Sequence, residues 1–133
     1  MAAGNRSWCS NSDTISAPII INTALSAEVE TRGLTPLALE IVTGAGSFSA
    51  TTIYVAFKVG MTSGSLDYLR SEDGTLYKVT ISANNTNGRA YLSPTAFAAG
   101  WHYVQLQTLA ADGSTAVTQT AARAITIVGG KVV

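Results

Sequence analysis

The stretch Thr51–Val59, TTIYVAFKV, limits what this chain can fold into more than any other. Ile53, Val55, Phe57 and Val59 alternate with Tyr54, Ala56 and Lys58. A period of two lays one apolar row along one face of a strand and sends Lys58 out by the other. β-branched and aromatic residues suit a pleated surface, and no helical spacing fits the segment as well. The spacing predicts a central strand with a core face, so the rest of the chain must supply strands beside it and across from it.

The other segments read that way. Ile15–Asn22 is strand-like, with Pro18 marking an edge or a bulge. Leu25–Glu30 alternates, and Leu34–Val42 places Leu37, Leu39 and Ile41 on one face with Glu40 opposite. Thr43–Ala50 is a Gly/Ser loop with Phe48 turned to the core, and Gly60–Ser65 and Ala83–Gly88 are loops by composition. Leu66–Ser71 and Thr75–Ser82 form a hairpin across Glu72-Asp73-Gly74, because Asp-Gly tolerates the positive φ of tight turns. Arg89–Leu92 is a short strand. Ser93 caps a single helical turn begun by Pro94 and ended by Gly100. Trp101–Ala110 points Val104 and Leu106 inward and Tyr103, Gln105 and Gln107 outward. Asp112-Gly113 turns the chain, Ala121–Val128 buries Ile125 and Ile127, and Gly129-Gly130 lets the tail depart. About eight short strands predict an all-β, two-sheet β-sandwich of jelly-roll or immunoglobulin-like type. It spans residues 14–133, after a polar, aperiodic and flexible N-terminal arm, Met1–Asp13.

At 133 residues this is one domain that buries roughly 65–70% of its unfolded surface. Only 12% of residues are charged, about half the usual ~25%. Eight basic and eight acidic side chains cancel, so nothing repels a neighbour. Such a surface is either covered by other protein or kept wet by its thirty Ser and Thr. No cluster of Lys or Arg offers a phosphate track, which argues against nucleic acid. No apolar run is long enough to span a membrane, and the first residues lack the core of a secretory signal. Cys9 is the single cysteine, which excludes an intrachain disulfide and a zinc set within one chain.

Chemistry is sparse. His102 is the single histidine and reads as a partly exposed residue at a strand start. A Ser–His–acid triad would need it, yet no serine sits in a G-x-S-x-G elbow. Asp67, Glu72 and Asp73 belong to a hairpin and read as solvated turn residues, not as calcium ligands. Tyr68, Tyr77, Tyr91, Trp101 and Tyr103 either complete the rim of the core or offer aromatic faces to a sugar. No catalytic residue, cofactor or metal site is expected, and no enzyme. The candidates for partner binding are Arg6, Trp8 and Cys9 in the arm, with Trp8 a good interface anchor, and outward-facing Tyr103 and Gln105.

The order of several segments resembles small virion proteins of tailed bacteriophages. Thr23–Ser26 (TALS) precedes a Pro-Leu step at Pro36–Leu39, and Tyr68 to Gly74 leads into an Asp-Gly hairpin. Pro94–Phe97 then forms a P-x-x-F turn before the strand end Val104–Thr108. The resemblance covers roughly Ser16 to Val128 and leaves out the arm. It implies a capsid decoration or cement protein: a β-rich trimer on the capsid exterior that binds the major capsid protein and braces the shell. It names no catalytic residue. Related domains occur in head fibres and tails, so the alternative is a binding module there that recognises host surface glycans.

Overall fold

The computed structural model describes residues 12–20, 23–31, 34–42, 52–82, 87–97, 100–119 and 124–131. Nine strands appear among them: β1 (Ser12–Ser16), β2 (Val29–Glu30), β3 (Leu34–Val42), β4 (Thr52–Gly60), β5 (Asp67–Tyr68), β6 (Lys78–Ser82), β7 (Asn87–Tyr91), β8 (Tyr103–Leu109) and β9 (Ala124–Lys131). A 3-10 turn, Pro94–Phe97, lies between β7 and β8. One sheet has the order β1-β9-β3-β7, and the other β2-β8-β4-β5, with β6 also paired to β4. This is the two-sheet sandwich that the alternating segments predict.

Its topology follows from the pairing. β5 and β6 both lie antiparallel to β4, at Lys58↔Tyr68 and Ala56↔Lys78. They are two halves of one edge strand, and the chain between them leaves the ladder as a small hairpin with Arg70 bridged to Leu76. With those halves counted together, β1 pairs with β9, β2 with β8, β3 with β7, and β4 with β5–β6, every pair antiparallel. The strands nest like one long hairpin, and the pairs β3–β9 and β4–β8 close it into two layers. That order is a jelly roll. An immunoglobulin-like sandwich keeps several successive strands together in one sheet. Among the described strands only β4 and β5–β6 are successive neighbours.

The core lies between the layers. Leu39, Ile41, Ile125 and Ile127 from one sheet meet Val55, Phe57, Val59, Val104 and Leu106 from the other. Each such side chain contributes about 1.5–3 kcal/mol through removal from water. Phe57, Tyr77 and Phe97 pack as a trio with ring centroids 5.3–5.9 Å apart, two of the contacts edge-on. The 3-10 turn supplies Phe97 to it. Gly100, at φ 70°, ends that turn by donating to the Phe97 carbonyl at 3.2 Å.

Several local expectations are corrected. Leu37 does not join Leu39 and Ile41: the register of β3 against β9 shifts between Pro36 and Ala38. One extra residue reverses the inward parity, so Leu37 is exposed while Pro36 and Leu39 are buried. Gly129 and Gly130 do not release the tail; they pair with Pro36 and Thr35 inside β9. A Cβ on Gly129 would lie 2.5 Å from the Thr35 carbonyl oxygen and 2.7 Å from Leu34 Cγ, so glycine there permits close approach of β3. β1 starts at Ser12, within the segment read as arm, and ends at Ser16, short of the expected Asn22. Gln107 is not outward into solvent but buried, because Tyr68 covers it. Asn87 and Gly88, read as loop, begin β7. Thr43–Ala50, with Phe48, lies outside the described residues.

Candidate functional site

Of the five residues predicted to meet a partner, Arg6, Trp8 and Cys9 lie outside the described residues. Tyr103 and Gln105 stand on the outer face of the five-stranded sheet. Alternation along β4 and β8 brings Lys58 opposite Gln105, Ala56 opposite Gln107 and Gly60 opposite Tyr103. The edge strand adds Tyr68 opposite Lys58 and Lys78 opposite Ala56. The two lysines lie over tyrosine rings, Lys58 Nζ 5.3 Å from the Tyr68 centroid and Lys78 Nζ 5.4 Å from that of Tyr54. The Tyr68 hydroxyl donates to Gln107 Oε1. Gln105 is tied down as well, its amide donating to the Ser26 carbonyl at 2.8 Å. The result is a broad face of phenol, amide and ammonium groups held by one another.

A second feature lies at the end of the sandwich where the hairpin after β5 faces the 3-10 turn. Leu69, Tyr77, Ala96 and Trp101 form its walls, with Arg70, Glu72 and Asp73 at its mouth, around a cleft of about 630 Å³. A smaller hollow of about 430 Å³ adjoins it and shares Leu69, Arg70 and Trp101. Trp101 is placed by its backbone: its carbonyl accepts from the buried Thr31 hydroxyl at 2.7 Å, and the next carbonyl, of His102, accepts from Thr31 N–H at 2.8 Å. The indole Nε1 is buried and meets no acceptor among the described residues. The Tyr77 hydroxyl accepts from Ser93 N–H at 2.9 Å, which joins hairpin to turn.

The carboxylates at the two Asp-Gly turns are set by local donors. The Ser71 hydroxyl, with Thr75 N–H at 2.9 Å, lowers the Asp73 pKa to about 2. The Thr115 hydroxyl, then Thr115 N–H and Ser114 N–H at 2.9 Å each, lower Asp112 to about 2. Both are turn caps, in keeping with the solvated-turn reading of Asp73. His102 is half-buried at the foot of β8, where its backbone carbonyl takes the bond from Thr31. Among the described residues no group of three His, Cys, Asp or Glu side chains is placed to hold a metal ion.

The aromatic residues do not make one platform. Tyr77 and Trp101 line the cleft, Tyr68 and Tyr103 belong to the five-stranded sheet, and Tyr91 stands 77% exposed on β7 of the other sheet. Arg70 had no signal of its own in the sequence, since only the pairing of β5 and β6 with β4 shows that it is at a cleft mouth. No helix among the described residues is long and apolar enough to cross a membrane.

No protein-family model matches the chain, and no curated protein matches it. Among solved structures it is similar to the crystal structure of the SPBc2 prophage-derived protein YomS. The TM-score is 0.50 at 15% sequence identity, over 89% of this chain and 93% of that one. At that identity the likeness speaks for the fold, and it covers nearly the whole of both chains.

Proposed function

We propose that this chain is a structural protein of a tailed-bacteriophage virion, a decoration or cement subunit. In this reading it binds the major capsid protein on the outer capsid surface, as a trimer, and acts without catalysis or a cofactor. The observation that carries the phage assignment is the likeness, over almost the full length of both chains, to a prophage-derived protein. The order of TALS, the Pro-Leu step, the Asp-Gly hairpin and the P-x-x-F turn supports it from the sequence. Location on the capsid rests on surface chemistry. With zero formal net charge and only 12% charged residues, the surface resists close packing of subunits weakly. Lys58, Tyr68 and Gln105 on the face bearing Tyr103 are held by their neighbours before any partner arrives, which lowers the ordering cost of docking. The edge strand β1 continues directly from residues 1–11 and can pair with a neighbour by strand addition.

The test is co-sedimentation of the purified chain with cognate capsids stripped of it, together with light scattering after size exclusion. Saturable binding and a mass about three times 13.8 kDa are expected. A stable monomer that leaves the capsids bare contradicts the reading. Deletion of residues 1–11 should keep the fold and reduce occupancy. The deletion stops there because Ser12 and Asp13 are rungs of β1 against Gly130 and Gly129.

A further inference from the structure

We propose that the cleft beside Trp101 is a saccharide-binding groove that takes a short, neutral oligosaccharide. The two hollows are of about 630 and 430 Å³, within the roughly 300–1,000 Å³ of small-molecule sites. They meet along Leu69, Arg70 and Trp101, with Tyr77 walling the first and Tyr68 the second. Two hollows that share Leu69, Arg70 and Trp101 give these residues the surface for more than one ring.

The lining is divided as a sugar is divided. Leu69 and the Trp101 indole give an apolar surface for the C–H face of a pyranose ring. Polar groups at the mouth both donate and accept, as ring hydroxyls do. Arg70 gives one N–H to the Gly74 carbonyl at 3.1 Å and has further guanidinium donors, while Glu72 and Asp73 supply acceptors. The half-buried indole of Trp101 lines both hollows and is the aromatic surface they share.

The site is also built in advance. Thr31 holds the Trp101 backbone, the aromatic trio holds Tyr77, and Ser71 with Thr75 holds Asp73. Little ordering is left for the ligand to impose. Charge narrows the class. Asp67, Glu72 and Asp73 line the two hollows against the single guanidinium of Arg70, a balance that disfavours sialylated or uronic-acid sugars. The inference does not rest on the capsid assignment, and a failure to bind sugar leaves that assignment standing.

The test uses the full chain carrying Trp8→Phe, so that Trp101 is the sole tryptophan. The probes are glucose, galactose, mannose and N-acetylglucosamine oligosaccharides of increasing length, beside sialylated and uronic-acid counterparts. Binding is read by Trp101 fluorescence and by calorimetry. At least one neutral oligosaccharide is expected to bind with a sub-millimolar Kd and to shift Trp101 emission. Trp101→Phe, which leaves a smaller aromatic surface, should weaken it about threefold or more. Exposed Arg70→Ala should weaken it as well with an unchanged melting curve, and this variant decides should Trp101→Phe not fold. Arg89→Ala, on the opposite sheet, should bind as before. Binding by none of the neutral probes, binding by the anionic ones alone, or affinity unmoved by Arg70→Ala would overturn the proposal.

Discussion

The two layers of this jelly roll share one core and differ in what they turn outward. The β1-β9-β3-β7 sheet shows solvent mostly short side chains such as Thr14, Ser16 and Ala124. Its larger outward groups include a half-exposed ion pair, Arg89 Nη2 to Glu40 Oε1 at 2.9 Å, the exposed ring of Tyr91 and the exposed Leu37. The β2-β8-β4-β5 sheet turns out tyrosines, lysines and glutamines that bond or stack on one another, and its edge opens into a hairpin beside the Trp101 cleft. Edges differ too. β2 has two residues and β5–β6 is interrupted, whereas β1 and β7 each run for five. The layer with one very short and one interrupted edge carries the prepared face and cleft, and the plainer layer has uninterrupted edges. The two layers thus differ in outward chemistry and in the continuity of their edges.

Four expected outcomes would break or sharpen that contrast. The largest is Phe57→Ala beneath the five-stranded sheet, where the ring is fully buried and touches Tyr77 and Phe97. Chemical denaturation should register a loss of about 3–5 kcal/mol. Next comes close packing in the other layer. Gly129→Ala should cost about 1–3 kcal/mol, because backbone and a buried leucine stand in the way. At the adjacent Gly130, where the nearest atom would be 3.6 Å away, the change to Ala should stay within about 0.5 kcal/mol. Equal effects at the two glycines would remove the close-approach account of β9.

The third compares the outer faces directly. Tyr68→Phe strips a donor from buried Gln107 and should cost about 1 kcal/mol. Glu40→Gln breaks an ion pair open to water and should cost under about 1 kcal/mol, vanishing at high salt. A larger loss at Glu40 than at Tyr68 would reverse the ranking of the two faces. Smallest is the acid response of the turns. Asp73 and Asp112 have folded pKa values near 2 against the ordinary 3.8. The folded state therefore binds these protons less readily than the unfolded one. Their contribution is complete above about pH 4 and is lost as pH falls toward about 2. Asp73→Asn and Asp112→Asn should each flatten that limb of the stability profile, and an unchanged limb would contradict the hydrogen-bond assignment.

What could be read from the sequence was local. The alternation in TTIYVAFKV and in Leu34–Val42 located β4 and β3 to within a residue, since period-two burial is written directly in side-chain order. Asp-Gly at residues 73–74 and 112–113 marked turns whose glycines have φ of 88° and 74°. Leu37 was misjudged because a bulge depends on the partner strand, and nothing around Pro36 states where β9 will be paired. Gly129 resembled a terminator for the same reason: its meaning lies in Leu34 and Thr35, far away in the chain. The choice of jelly roll over immunoglobulin order depended on pairings such as β1 with β9, which join the two ends of the domain. Trp101 and Tyr77 were visible as aromatics, yet their meeting across a cleft with Arg70 required the edge strand to split.

The central claim is a place on the phage head, and an electron cryomicroscopy reconstruction of the intact virion tests it most directly. The account predicts density for this jelly roll on the outer capsid surface, in threefold clusters touching the major capsid protein. Virions that lack the chain, or that carry it on the tail alone, would contradict it.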